Sequence, residues 1–165
     1  MNTRLVGSEM CIRDSMGTQS ATNGDRLYLA SGGLTSSATY VAYVWQERPG
    51  YSNFGSYMGN GNSNGPYIDC GFRPALVLTK IVDTLNENWT ISDSTRSTYN
   101  PVDAFLRPDE STAETSSAAT MDFLSNGFKL RTSDSKTNKD GGLFIYLAWA
   151  EQPEVTPFGS QSNAR

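Results

Sequence analysis

The feature that most constrains the fold is a series of short apolar runs between residues 54 and 151, each ended by turn-forming residues. The runs are FGSYMGNG, PYIDCGF, PALVLTKIV, NWTISDS, AFLRP, TMDFLS, FKLRTS and LFIYLAWAE. Runs of this length between Asn-Gly and Asp-Gly pairs are typical of strands joined by tight turns. Asn126-Gly127, between MDFLS and FKLRT, is the strongest hairpin signal. About eight strands predict an all-β fold of two packed antiparallel sheets, a β-sandwich.

Two stretches of the chain repeat one another. YVAYVWQERPGYSNFGS at 40–56 aligns with FIYLAWAEQPEVTPFGS at 144–160, with six identities in seventeen positions. The offset of 104 residues is the size of a whole β-sandwich. We therefore predict that residues 16–56 are the C-terminal fragment of a first, truncated repeat copy, and that residues 57–165 are a complete second copy with a C-terminal tail. Trp45 and Trp149, which correspond in the two copies, are expected to be structural anchors in their cores.

Residues 1–15, MNTRLVGSEMCIRDS, have no counterpart in the repeat and no strand pattern. SEMCIRDS is similar to translated sequencing-adapter sequence, so we expect this segment to be a disordered artefact and leave it out of the fold prediction. Cys70 is then the one cysteine that remains. A single cysteine forms no internal disulfide, and we expect Cys70 to be a small buried residue beside a turn.

Charge and composition exclude several classes of function. The chain has 13 basic and 17 acidic residues and lacks a basic run, which argues against nucleic acid as a partner. The most apolar run is interrupted by Lys80, so we expect no insertion into a membrane. With no histidine in the sequence, His-based triads and His metal sites are excluded. No cofactor motif is present, since GNGNSNG at 59–65 lacks the lysine of a phosphate loop and is expected to be a flexible connection.

Carboxylates are the remaining route to catalysis. A glycoside-cleaving enzyme needs two acids at a defined separation, and the candidates are Asp93, Asp103, Asp109, Glu110, Glu114 and Asp122. No pattern selects a pair among them, so solvated acids at turns are favoured and no catalytic residue is assigned. DSKTNKD at 134–140 is a weak calcium candidate because its oxygen ligands alternate with two lysines. No metal ligand is assigned either.

Aromatic residues in the loops are the candidate ligand-binding residues. Tyr57, Tyr67, Tyr99 and Phe105 are expected to be exposed and to stack on sugar rings, although such residues also pack the rim of a sandwich. In WTISDSTR, Asp93 lies three residues before Arg96, and we interpret this pair as a structural ion pair that fixes the loop. A direct ligand contact by the pair is the alternative.

Four stretches resemble a domain of unknown function near the C-termini of tail-fibre-like proteins of marine and metagenomic tailed phages. They are YVAYVWQERPGYSNFGSYMGNGNSNGPYIDCGFRPALVLTK, WTISDSTR, AETSSAATMDFLSNGFKLRTSDS and GGLFIYLAWAEQP. The resemblance implies a concanavalin-like or jelly-roll sandwich in a virion tail appendage. The resemblance assigns no binding residues in this chain.

These observations favour a non-enzymatic function. We expect a structural and host-receptor-binding module, directed at a cell-surface glycan and located on the virion. The resemblance implies a homotrimer, in which three copies would add avidity for a weakly bound glycan. The alternatives are a carbohydrate depolymerase that uses an Asp/Glu pair and a structural spacer without a ligand.

Overall fold

The computed structural model describes residues 45–84, 87–116 and 119–151. The chain divides into two compact units, Met1–Gln46 and Glu47–Arg165. Of the first unit only Trp45 and Gln46 are described, so the predictions for residues 1–15 and for most of the first repeat copy lie outside the described residues. Every strand in the described ranges belongs to the second unit.

Eight strands lie on the eight predicted runs, which confirms the all-β fold class. They are β1 (Ser52–Met58), β2 (Tyr67–Asp69), β3 (Pro74–Ile81), β4 (Thr90–Asp93), β5 (Phe105–Leu106), β6 (Met121–Leu124), β7 (Gly127–Leu130) and β8 (Leu143–Ala150). A single helical turn, α1 (Ser135–Asn138), precedes β8. β1 extends over both sides of the boundary between residues 56 and 57 that was inferred from the sequence repeat. Residues 47–56 lie in the same compact unit as the rest of the sandwich.

The strands form two antiparallel sheets. The larger sheet has the order β1-β8-β3-β4-β5 and the smaller has the order β2-β7-β6. β1 pairs with β8 in one sheet while β2 pairs with β7 in the other, which is the nested pairing of a jelly roll. β8 lies between β1 and β3 in its sheet, and its neighbouring residues Leu147 and Ala148, which face opposite sides, are both fully buried. This agrees with the nearly continuous apolar pattern of LFIYLAWA.

The core lies between the inward faces of the two sheets. Ile68, Phe128 and Phe123 are paired side by side across the three strands of the smaller sheet and are all buried. Phe128 meets the ring of Tyr146 from the larger sheet edge-on, with the ring centroids 5.4 Å apart. Full burial of one such aromatic side chain stabilises the fold by about 2–3 kcal/mol. Because side chains alternate along a strand, the residues between these face outward.

The hairpin between β6 and β7 turns one residue earlier than predicted. Its turn residues are Ser125 and Asn126, since Leu124 pairs with Gly127 and Gly127 is the first residue of β7. A Cβ atom on Gly127 would lie 2.0 Å from the carbonyl oxygen of Ile68. Glycine is therefore required here by the close approach of β2, and not by a positive φ.

The loop at 59–65 is fixed by hydrogen bonds, in contrast to the predicted flexible connection, and one side chain makes several of them. Asn138, at the end of α1, is fully buried. Its Oδ1 accepts from the main-chain N–H of Asn60 at 2.9 Å. Its Nδ2 donates to the main-chain oxygens of Asn62 at 2.8 Å and Thr132 at 2.7 Å. The amide thus satisfies its own polar atoms and fixes the loop at once.

Candidate functional site

Two of the four aromatic residues expected to bind a ligand are buried instead. Tyr57 of β1 is 7% exposed, stacks on Phe144 with the ring centroids 4.9 Å apart, and donates from its hydroxyl to the main-chain oxygen of Thr137 at 2.7 Å. Burial raises the pKa of Tyr57. Phe105 of β5 is also 7% exposed, and the guanidinium of Arg107 lies 5.6 Å from its ring centroid. The expectation of exposed, ligand-stacking rings is wrong for Tyr57 and Phe105.

Tyr67 and Tyr99 are exposed, but they lie at opposite edges of the smaller sheet. Tyr67 is 43% exposed on the edge strand β2. Tyr99 is 86% exposed in the loop before β5, and its neighbour Asn100 bonds the main chain of Phe123 on the other edge strand, β6. Two strand spacings, about 10 Å, separate these edges. The structure therefore does not gather the predicted aromatic residues into one patch.

The outward side of the smaller sheet brings Tyr67 next to charged side chains. We call this side the outer face and define it by Tyr67, Asp69, Asp122, Lys129 and Arg131. Lys129 of β7 is the cross-strand partner of Tyr67 on one side and of Asp122 on the other, so the three form one row. Paired side chains in such a row are about 5 Å apart at Cβ.

Ion pairs and hydrogen bonds hold the charged residues of the outer face. Arg131, two residues after Lys129, bonds Asp122 from Nε to Oδ2 at 2.5 Å. Lys129 donates from Nζ to the main-chain oxygen of Gly65 at 2.8 Å, which draws the loop before β2 towards the sheet. These contacts limit the rotamers of both cations, so the row is preorganised before any ligand arrives.

The surroundings of Tyr67 favour the neutral form of its hydroxyl. Partial desolvation and the carboxylate of Asp69, the next outward residue on β2, raise the pKa of Tyr67. A neutral phenol both donates and accepts hydrogen bonds, while its ring offers an apolar face. Asp122 is buried and held by Arg131, so the row presents the exposed ring of Tyr67 beside the half-buried ammonium of Lys129. With exposed Asp69 on the same strand, these groups can pack against the C–H face of a sugar and bond its hydroxyls.

Asp93 and Arg96 form an ion pair at the turn after β4. Asp93 also accepts from the main-chain N–H groups of Thr95 at 3.0 Å and of Arg96 at 2.8 Å, which closes the turn. Arg96 reaches Glu114 from Nε to Oε2 at 2.8 Å. The pair therefore connects two loops of the sandwich, a structural role in the described residues.

The carboxylates proposed as catalytic candidates are each engaged in local structure. Asp103 accepts from the hydroxyl of Ser97 at 3.0 Å, and Asp109 accepts from the main-chain N–H of Trp89 at 3.2 Å. Glu110 pairs with Arg107 at 3.4 Å, and hydrogen bonds from Arg107 and Thr112 lower the pKa of Glu110 against the opposing effect of its desolvation. Asp93, Glu114 and Asp122 form the ion pairs described above.

Neither tryptophan predicted as a core anchor is fully buried. Trp149 of β8 is half-buried and faces the side of the larger sheet away from the core, where its ring meets Phe54 edge-on at 5.4 Å. The core side of β8 is occupied by Phe144, Tyr146 and Ala148. Trp45 is half-buried as well.

Within the described ranges, no group of three or more acidic or cysteine side chains could hold a metal ion. In the weak calcium candidate at 134–140, Asp134 caps α1 by accepting from the N–H of Lys136 at 2.7 Å, and Asn138 fixes the loop at 59–65. Cys70 is buried and free, and burial raises the pKa of its thiol to about 12. No helix in the described part of the chain is long and apolar enough to span a bilayer.

Several residues of this site escaped the sequence analysis. The alternation of side chains along a strand indicates that Tyr67 and Asp69 lie on the same side of β2. It also indicates that Lys129 and Arg131 lie on the same side of β7. The pairing of β2 with β7, which joins the two sets, connects residues about sixty positions apart and has no local signal. The role of Asn138 was missed for the same reason.

The chain matches the family described as "Domain of unknown function (DUF7483)" over residues 6–153. The chain belongs to the DUF7483 family. The matched range begins inside the segment 1–15 and includes all of the described sandwich. Comparison with curated proteins and with solved structures finds no match to this chain. Membership of DUF7483 assigns no activity, so the function must be argued from the site.

Proposed function

We propose that this DUF7483 chain is a structural and receptor-binding module of a phage tail appendage, and that its ligand is a host cell-surface glycan. The observation that carries the proposal is the outer face, where exposed Tyr67 stands beside half-buried Lys129 and exposed Asp69 follows on the same strand. An aromatic ring with flanking hydrogen-bond donors and acceptors suits a ligand that is apolar on one side and rich in hydroxyls on its rim.

The virion setting is supported by the four motifs that resemble modules of tail-fibre-like proteins. The outer face offers a small contact area, so single-site binding would be weak. A homotrimer would raise the overall avidity by holding several faces near the same cell surface.

Nucleic acid is a poor candidate for the ligand of the outer face. Lys129 and Arg131 are balanced there by Asp69 and Asp122, and Arg131 is already paired. Binding to a phosphate backbone requires a surplus of unpaired cations along one surface. The chain as a whole carries a net charge of −4, which acts against such binding.

Two alternative functions are open for the chain. One is an enzyme, a carbohydrate depolymerase, and the other is a structural spacer without a ligand. A glycosidase requires one carboxyl that gives up a proton and a second that attacks or activates water. The six candidate acids all serve loops or ion pairs in the sandwich, so no observation favours a catalytic pair. The binding experiment described next gives a different result for each alternative.

The test uses the fluorescently labelled full chain on a panel of bacterial isolates, with and without competing surface polysaccharide. We expect saturable, strain-selective binding that the polysaccharide competes. Tyr67→Ala should weaken it by about tenfold or more, as loss of a central aromatic contact does. Tyr99→Ala is the matched control, since it removes an exposed tyrosine at the opposite edge, and should bind like the unmodified chain.

Two results would replace the proposal. Absence of binding by the folded chain on every isolate would favour the spacer. Release of reducing sugar from the polysaccharide, abolished by an Asp→Asn or Glu→Gln change at one of the six acids, would establish the depolymerase.

A further inference from the structure

β1 is an edge strand of the larger sheet, and every second residue turns its main-chain groups away from β8. The N–H of Gly59 donates to the oxygen of Gly142 at 2.9 Å, and the oxygen of Tyr51 accepts from the N–H of Ala150 at 2.8 Å. The odd-numbered residues of β1 therefore face β8. Because these directions alternate along a strand, the even-numbered residues face away from β8. They are Ser52, Phe54, Ser56 and Met58.

The first part of this edge finds hydrogen-bond partners within the chain. The N–H of Ser52 donates to the main-chain oxygen of Arg48 at 2.9 Å, and the N–H of Arg48 donates to the main-chain oxygen of Ser52 at 3.1 Å. The N–H of Phe54 donates to Oε1 of Glu47 at 3.1 Å. The turn before β1 thus covers the edge as far as the N–H of Phe54.

The rest of the edge has no such partner among the described residues. The oxygen of Phe54 and both main-chain groups of Ser56 and of Met58 make no hydrogen bond there. We call these three residues the β1 edge. Ser56 and Met58 are also exposed, so a strand can reach them. A row of unpaired N–H and C=O groups is a template for pairing with another strand.

β1 lacks the features by which proteins protect an edge strand. Its sequence, SNFGSYM, contains no charged residue and no proline. Its register with β8 is regular from Ser52 to Met58, without a bulge. Lysines, prolines and bulges are the usual means of preventing pairing between edges. The β1 edge is therefore open to an uncharged, extended partner strand.

Apolar side chains are exposed beside the same edge. Met58 is 54% exposed, and its cross-strand partner Leu143 is 38% exposed. Both face away from the core, as Phe54 does. Phe54, Leu147 and Leu78 are paired side by side across β1, β8 and β3, which forms an apolar row that ends at the edge. A partner that continues this row would bury more apolar surface.

The β1 edge is complementary to itself in one register. When two β1 strands lie antiparallel with Ser56 opposite Ser56, Phe54 of each copy lies opposite Met58 of the other. The two Ser56 residues then exchange main-chain hydrogen bonds, and each Met58 N–H donates to the Phe54 oxygen of the other copy. The N–H of Phe54 keeps its bond to Glu47. Other registers leave one of the three positions without an opposite residue.

Side chains agree with this register as well. The second copy's Met58 lies next to Phe54 and continues the apolar row to the second copy's Leu143, and a methionine sulfur packs well against an aromatic ring. Ser56 is small and uncharged, so the two copies meet at the axis without repulsion.

We propose that the β1 edge pairs with the β1 edge of a second copy of this chain, which joins two larger sheets into one continuous sheet about a two-fold axis. The inference goes beyond the proposed glycan function and does not depend on it. Together with a homotrimer, the smallest closed particle is a pair of trimers joined through their β1 edges. The contact is small, so we expect a dissociation constant of about 10–100 µM.

The experiment is sedimentation velocity of the full chain over a wide range of concentration. We expect a dimer, or a pair of trimers, whose fraction rises with concentration. Ser56→Pro removes the outward N–H and keeps the pairing with β8, because an edge strand tolerates proline where its N–H faces solvent. It should weaken association by about tenfold or more. Met58→Lys brings a charge against Phe54 of the other copy and should weaken association similarly.

Two controls separate loss of the contact from loss of the fold. Ser56→Thr keeps the N–H, and Tyr99→Ala changes an exposed residue elsewhere, so both should associate like the unmodified chain. Unchanged thermal unfolding midpoints of dilute Ser56→Pro and Met58→Lys would show that the fold is intact. A monomer at every concentration, trimers that never pair, or equal association in both edge variants and the unmodified chain would overturn the proposal.

Cross-linking tests the register itself. In a Cys11→Ser background, Ser56→Cys and a short bis-maleimide should link two chains efficiently, because the two substituted positions meet at the axis. Cys70 is buried and should not react. Tyr99→Cys is the matched control and should give little linked product. Equal yields from the two positions would overturn the register centred on Ser56.

Discussion

Nδ2 of Asn138 donates to the main-chain oxygen of Asn62 at 2.8 Å, joining residues 76 positions apart in the sequence. The same amide also reaches Asn60 and Thr132. One buried side chain thus connects α1 to the loop that leads from β1 into β2, the edge strand that carries Tyr67. The position of the outer face depends on this polar anchor as well as on the apolar core.

Replacing Asn138 by alanine should destabilise the chain by about 3 kcal/mol, because three main-chain groups would lose their side-chain partner at once and a fully buried side chain would be truncated. The measurement is urea unfolding followed by fluorescence or circular dichroism. Asn64→Ala is the control, since the hydrogen bonds described for Asn64 use its main chain and the residue is exposed. A cost below about 1 kcal/mol for Asn138→Ala would contradict the anchoring role.

Gly127→Ala should cost about 3 kcal/mol or more, because its Cβ would lie 2.0 Å from the carbonyl oxygen of Ile68 and force β2 away from β7. Gly71→Ala is the control, because it introduces backbone strain without a steric clash. Gly71 has a φ of 76° and open space at its Cβ position, so only the conformational cost of about 1 kcal/mol applies there. Equal losses of unfolding free energy in the two variants would show that steric contact with β2 is not the cause.

Cys70 should be unreactive in the folded chain. Its thiol pKa is raised from 9.0 to about 12 by burial first and by Asp69 second, so it stays protonated at pH 8. In a Cys11→Ser background, where Cys70 is the sole thiol, alkylation by iodoacetamide should be about a thousandfold slower than in denaturant. Similar rates in the two states would contradict the buried, protonated thiol.

Tyr57 should make the fold sensitive to alkali. Burial raises its pKa above the ordinary value of 10.0, so the unfolded phenol ionises first and stability is lost as the pH rises above 10. Tyr57→Phe should cost about 1–2 kcal/mol at pH 7 through loss of the bond to Thr137, yet lose less stability between about pH 10 and 11. Unfolding curves over this pH range test it, and parallel losses in both proteins would refute it.

The strands were predictable because their signals are local. The runs from FGSYMGNG to LFIYLAWAE are separated by turn-forming residues, and each run contains a strand. Tyr57 was misplaced because Asn53 and Gly55, its neighbours on the inward side of β1, are not apolar and do not mark that side as core. Phe105 lies in a strand of two residues, which is too short to show a period of two.

The site was less predictable because it depends on pairings between distant segments. No local pattern places Tyr67 beside Lys129. This arrangement arises only when β2 pairs with β7. Loop closure of this kind is decided by the whole fold, and short-range propensities do not encode it.

The most direct test of the proposed glycan-binding face is chemical-shift mapping of the labelled full chain during titration with the surface polysaccharide of a bound host strain. We predict saturable shifts centred on Tyr67, Lys129 and Arg131, with Tyr99 little changed. Shifts confined to the larger sheet, or no shifts at saturating polysaccharide, would contradict the assignment of the outer face as the binding surface.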